Sequence, residues 1–233
     1  MKRFYKQVSA ALSDGSAVVR LDGRMLKTPG KAELRLPTLA LAEAIAAEWD
    51  AQQDEIKPQS MPLMQLAATA IDRVAADPVY ARTEIVRYGD TDLLSYRAGE
   101  PAELAERQMA EWQPLLDWFR DRYDIQVNVT SGVIAVAQPA ELRPRLERAC
   151  AGLDPWQLTA LHGATTNTGS VVLGLALLDQ RLDAESAHRA ALLDELHQAT
   201  LWGEDPEAVA RRTGLLADLQ ATCRFLALLR TRN

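Results

Sequence analysis

After residue 57 the prolines of this chain stand at the heads of apolar-periodic runs: Met61-Pro62, Asp77-Pro78, Gln138-Pro139, Asp154-Pro155 and Asp205-Pro206. Proline costs no intrahelical bond at the first helical position, and a polar residue before it can cap the free N–H groups. Read this way, residues 58–233 are a succession of short helices. The first 57 residues are punctuated differently. Asp14-Gly15 and Asp22-Gly23 are hairpin dipeptides, because a two-residue turn needs the positive φ that glycine supplies. Residues 17–21 and 24–28 flank the second turn. With residues 4–10 before them and 33–36 after, they predict a small antiparallel meander. A helix follows, with Thr38 as its N-cap and Leu41, Ile45 and Trp49 on one face. A meander this small cannot make a core alone, so the helix is expected to pack on it.

The fold class that results is α+β. A small N-terminal β-meander with its helix (1–57) precedes a larger, mostly α-helical orthogonal bundle (58–233), with the boundary at 56–60. Within the bundle, Leu63, Leu66, Ala67, Ala70, Ile71 and Val74 fall at helical spacing. A helix from Pro101 is expected to kink or restart at Gln113-Pro114, then continue with Leu115, Phe119 and Tyr123 in register. Residues 125–136 carry β-branched side chains and read as one or two strands returning to the small sheet. The final helix shows an apolar stripe of Leu216, Leu219, Cys223 and Leu226, in spite of Gly214.

Composition excludes some partners. The 233 residues hold 26 Lys and Arg against 32 Asp and Glu, a net charge of -6. Nucleic acids and anionic membranes call for a clustered basic face, which such a balance disfavours. No apolar run approaches the roughly 18 residues of a membrane helix, so no membrane insertion is expected. The N-terminal residues Met1-Lys2-Arg3-Phe4-Tyr5-Lys6 show neither an apolar signal core nor a presequence pattern. Two cysteines, Cys150 and Cys223, read as small core residues of a reducing compartment.

The chemistry-bearing motifs are sparse. The small, polar stretch at 163–170 lacks the lysine of a phosphate loop and reads as a helix–helix junction, with Ser170 as an N-cap. Glu185 and His188 have the E-x-x-H spacing of a di-iron bundle, but with His162 and His197 the only other histidines no second such pair can be written. No G-x-S-x-G occurs, and Cys223 lies on an apolar helix stripe where an inert thiol is the default. Asn128-Val129-Thr130 matches a glycosylation sequon with no secretory context. No catalytic, cofactor or metal residue is assigned.

Longer matches carry more. Phe4-Tyr5-Lys6, Leu21-Asp22-Gly23-Arg24, Leu26-Lys27-Thr28-Pro29 and Leu36-Pro37-Thr38 come first, then Glu48-Trp49 with Ala51-Gln52. Met61-Pro62-Leu63, Ala70-Ile71-Asp72, Thr91-Asp92-Leu93-Leu94 and Tyr96-Arg97 follow. Trp112 with Pro114-Leu115-Leu116-Asp117-Trp118, Asp194-Glu195, Gln198 and Trp202-Gly203 complete the set. In this order, across nearly the whole chain, they resemble the assembly chaperones of the F(1) sector of ATP synthase that handle the alpha subunit, a family of mitochondria and alpha-proteobacteria. Met64, Gln113 and Leu196-His197 depart from the family's commoner residues.

The resemblance implies an ATP-independent, non-catalytic chaperone without cofactor. Its partner is the unassembled alpha subunit, and it is expected to act as a monomer in the bacterial cytoplasm. An isolated subunit exposes apolar surface destined for its ring neighbours, and a protein that covers it stabilises the free subunit by mass action. Apolar area supplies affinity, while acidic residues at Asp194, Glu195 and Glu204 supply register. Asp205 competes with client contact as a helix N-cap, and Trp49 is expected in the core. Two other readings stay open: a small-molecule enzyme with a site between the two domains, and a stable accessory subunit of the synthase.

Overall fold

A computed structural model of the chain describes residues 1–132 and 134–231. Internal contacts divide the chain into two compact units. The first holds Met1–Pro78, Asp154–Ala160 and the residues from Ala221 onward; the second holds Val79–Leu153 and Leu161–Gln220.

In the first unit, strands β1 (Val8–Ser13) and β2 (Ser16–Leu21) pair antiparallel from Val8↔Leu21 to Ser13↔Ser16. Asp14 and Gly15 take φ of 49° and 78°, and Asp22 and Gly23 take 47° and 79°, the doubly left-handed turns expected of both dipeptides. β1 begins at Val8 and not at Phe4, because the N–H groups of Lys6 and Gln7 donate to the Asp22 carboxylate (3.0 and 2.8 Å) and not to a ladder. β3 (Arg24–Met25) covers only the Leu21 end of β2. The meander is therefore not continued by β4 (Arg35–Leu36), which returns to β2 opposite Ala17 and Val18. The backbone groups a two-residue β3 leaves open on β2 need partners, and β4 supplies them.

Helix α1 (Leu39–Asp50) packs on β1 and β2, with Thr38 Oγ1 accepting from Leu41 N at 3.2 Å and Leu41, Ile45 and Trp49 buried as expected. Its Glu48 carboxylate accepts from Leu63 N and Met64 N, both at 2.9 Å, so α1 caps the first turn of α2 (Pro62–Thr69) from outside. Burial nevertheless holds the Glu48 pKa above the ordinary glutamate value. One π-helical turn (Ala70–Val74) follows. From it Asp72 accepts from Thr28 Oγ1 (2.6 Å) and Gly30 N (2.9 Å). The Asp72 carboxylate lies within 2.9 Å of where a Cβ on Gly30 would sit, so only glycine lets that loop close on it.

The second unit is mostly helical: α3 (Pro78–Tyr88), α4 (Ala102–Tyr123), α5 (Leu142–Ala151), α6 (Pro155–Thr168), α7 (Val171–Leu178), α8 (Ala184–Ala191), α9 (Leu193–Trp202) and α10 (Pro206–Leu229), with α3, α6 and α10 crossing the unit limits given above. α7 is buried at every position, as a helix apolar all round must be, and α4 packs against both α7 and α9. Pro114 does not break α4. Leu104, Gln108, Trp112, Leu115, Leu116 and Phe119 form one buried face on both sides of it, and the Ala110 carbonyl it strips of a partner belongs to an exposed residue. Pro139 does not start a helix either; α5 begins three residues later, with Leu142 N bonded to the Pro139 carbonyl. Residues 125–136, of which Val133 lies outside the described residues, do not return to the small sheet. Only Thr130–Ser131 (β6) is extended into a ladder, parallel to Tyr96–Arg97 (β5) in the same unit. Among the described residues no helix is long and apolar enough to cross a membrane.

Candidate partner-binding surface

The three acidic residues singled out in the sequence stand near the ends of α9. Asp194 lies in its first turn and reaches inward: its Oδ1 accepts from Gln108 Nε2 at 2.6 Å. Gln108 is fully buried on α4, and its Oε1 accepts from Ala98 N at 2.7 Å. Beside it the Arg97 guanidinium lies over the Trp112 ring at 5.4 Å and donates to the Gln108 and Leu94 carbonyls at 3.1 and 3.3 Å. Trp112 Nε1 donates to the Ala190 carbonyl at 2.9 Å. Burial holds the Arg97 pKa below its ordinary value. Asp194 therefore closes a polar chain that ties β5, α4 and α9 together.

Glu195 and Glu204 meet elsewhere, on Arg212 of α10. Glu195 Oε1 is 3.0 Å from Arg212 Nη1, its Oε2 pairs with Arg211, and Glu204 pairs with Arg212 Nη2. Partial burial works against the Glu195 carboxylate, but the hydrogen bonds from Arg211 and Arg212 outweigh it and hold the pKa below the usual range. His188 of α8 makes a 2.9 Å bond from its Nε2 to the Arg212 carbonyl, so the nitrogen is occupied and the E-x-x-H spacing leads to no cluster. Among the described residues no group of three or more His, Cys, Asp and Glu is placed to hold a metal ion. Asp205 caps α10, accepting from Ala208 N at 2.9 Å.

What sequence reasoning missed is the apolar pair beside these charges. Leu201 and Trp202, the last two residues of α9, are 59% and 78% exposed, and Gly203 ends the helix at φ 91°. Trp49 and Trp112 are core residues; Trp202 is not. The signal was present, since a tryptophan directly before a helix-terminating glycine has no further turn to hide it. His197, one turn earlier, is 3% exposed with neither ring nitrogen hydrogen-bonded.

The other conspicuous carboxylate is Asp92. It is fully buried and accepts from Leu94 N (3.0 Å), Ser170 Oγ (2.8 and 3.0 Å to its two oxygens) and Val172 N (3.2 Å). Ser170 in turn caps α7 through Leu173 N at 3.1 Å, as its sequence position suggested. Burial outweighs these donors and pushes the Asp92 pKa to about 6. Its bonds serve the start of α7 and the turn at Leu93–Ser95. Cys150 is buried, and desolvation raises its thiol to about 11, beyond use as a nucleophile near neutral pH.

The chain superposes over 98% of its length on the crystal structure of Atp12 from Paracoccus denitrificans, covering 98% of that chain with a TM-score of 0.93 and 44% identity. A protein of known structure from Agrobacterium tumefaciens matches with a TM-score of 0.92 and 39% identity, over 98% of this chain and 86% of that one. The mitochondrial protein atp12 of Schizosaccharomyces pombe is 27% identical over 219 residues, 89% of this chain and 75% of its own length. The family model for the ATP12 chaperone protein matches residues 2–120. The chain belongs to the ATP12 chaperone family.

Proposed function

We propose that the chain is an ATP-independent chaperone for assembly of the F(1) sector of ATP synthase, which binds and shields the unassembled alpha subunit as a monomer in the bacterial cytoplasm. The observation that carries this reading is Trp202, 78% exposed beside Leu201 at the end of α9 and next in sequence to the ion pairs of Glu195 and Glu204 with α10. A large exposed aromatic with a charged rim is the anatomy of a binding hot spot. Leu201 and Trp202 supply apolar contact, Glu204 and Glu195 set register, and Asp194 holds the start of α9 in place while contributing charge.

The test is aggregation of isolated alpha subunit, followed by light scattering without nucleotide. The chaperone should suppress it. The pair Trp202→Ala and Glu204→Lys should lose most of that suppression while the far-ultraviolet circular dichroism stays unchanged, because both side chains are exposed. Equal aggregation with and without the parent protein refutes the client. Full activity of the double variant refutes the surface.

A further inference from the structure

A second recognition surface lies wholly within the first unit. A cleft of about 670 Å³ opens beside the Asp22-Gly23 turn and β3, a size suited to a few side chains of a guest. Its buried walls include Leu21, Leu26 and Trp49. Phe4 lines it too and is 63% exposed. That ring is not loose: it stands edge-on to Tyr5 at 5.3 Å, and Tyr5 stands edge-on to Trp49 at 5.6 Å and donates its hydroxyl to the Trp49 carbonyl at 2.6 Å. Two buried rings thus hold an exposed one in place, the preorganisation that lowers the cost of binding.

Two observations say what chemistry the guest has. Arg24 and Lys27 line the cleft and are exposed, while the one acid beside them, Asp22, is already engaged by the backbone of Lys6 and Gln7. Finally, residues 1–36 carry eight Lys and Arg against three Asp and Glu, whereas the rest of the chain carries 18 against 29. The segment that builds most of the cleft is thus basic in an acidic protein, and Arg24 and Lys27 at the cleft itself attract negative groups.

We infer that this cleft docks an acidic segment of a partner protein, one that places a large apolar side chain against Phe4 and Leu26 and carboxylates against Arg24 and Lys27. The inference goes beyond shielding through α9 and holds whichever client is carried.

The probe is the acetylated, amidated hexapeptide Glu-Asp-Phe-Leu-Asp-Glu, titrated into the full chain and followed by ¹H–¹⁵N spectra with the indole resonance of Trp49 assigned. The resonance should move as the peptide binds, since Trp49 lines the cleft and the guest changes its surroundings. Arg24→Glu with Lys27→Glu should weaken binding by about tenfold, a rim-charge effect, with circular dichroism unchanged because both residues are exposed. Phe4→Ala should weaken it as well. The counterpart peptide with lysine at the four acidic positions should not bind. An unmoved Trp49 indole, equal binding of the two peptides, or undiminished binding by the charge-reversed variant overturns the proposal. So does sedimentation showing that a second copy fills the cleft, as a dimer dispersed by the same charge reversal.

Discussion

Asp92→Asn should make the chain's stability respond differently to pH. In the folded protein the Asp92 carboxyl titrates near 6, against an ordinary value of 3.8, because no part of it reaches water. A folded pKa above the unfolded one means the protonated form is favoured by folding. The resulting stability is present in full below pH 3.8 and is lost as pH rises through about 6. A little over two pH units at about 1.4 kcal/mol each gives about 3 kcal/mol of lost stability by pH 7. Asparagine does not titrate. It keeps an oxygen for Leu94 N and Ser170 Oγ and turns an amide towards Val172 N, so it carries its own deficit of about 1–3 kcal/mol at every pH. The variant should therefore be clearly weaker than the parent at pH 4 and should regain about 2 kcal/mol relative to it by pH 7, the rest of the span lying below pH 4. Urea unfolding followed by circular dichroism between those limits measures the difference, and the ¹³C shift of the Asp92 carboxyl carbon reports its midpoint directly. A stability difference flat across this range, or a carboxyl midpoint near 4, refutes the reasoning that burial outweighs the four donor contacts.

Two further substitutions test the links that position the surfaces. Gln108→Ala removes the amide between Ala98 N and Asp194, leaving a buried N–H without a partner and a half-buried carboxylate without its donor. It should cost about 2–4 kcal/mol in urea unfolding, while Trp202 remains exposed. Thr38→Ala removes both the cap of α1 and the hydrogen bond from Thr38 Oγ1 to the Leu228 carbonyl at 2.8 Å. A loss of about 1–2 kcal/mol is expected, read as a lower urea midpoint.

Some of the fold was legible because the forces that set it are local. Both Asp-Gly turns need only the positive φ that such dipeptides tolerate, and Thr38, Ser170 and Asp205 cap helices through bonds to their own next residues. Pro114 misled because the cost of a proline inside a helix is local, whereas the buried face that offsets it runs from Leu104 to Phe119 and draws on contacts with other helices. Residues 125–136 misled in the same way. Their β-branched side chains state a preference for extended backbone, but the pairing partner at Tyr96–Arg97 is chosen by the fold. Some of the ordered family motifs turn out to be complementary halves of clasps: Leu26-Lys27-Thr28-Pro29 meets Asp72, and Glu48 meets Met61-Pro62-Leu63, while Asp92 meets Ser170, a residue outside the motifs.

The sequence by itself therefore determined the class of fold, a turn-punctuated sheet with a capped helix and then a run of proline-headed helices. It also placed an acidic stretch at residues 194–207, through charges that need no partner to be counted. Only the tertiary structure decided which of those charges face outward. Asp194 is drawn inward by Gln108, Glu195 and Glu204 are gathered by Arg212, and Asp205 closes a helix. Only the tertiary structure separated Trp202 from Trp49, one in solvent and one beneath a basic cleft with its N–H unpaired. A residue type states what a side chain can do, but burial and the nearest opposite charge are sums over residues distant in sequence, and those sums exist only once the chain has folded.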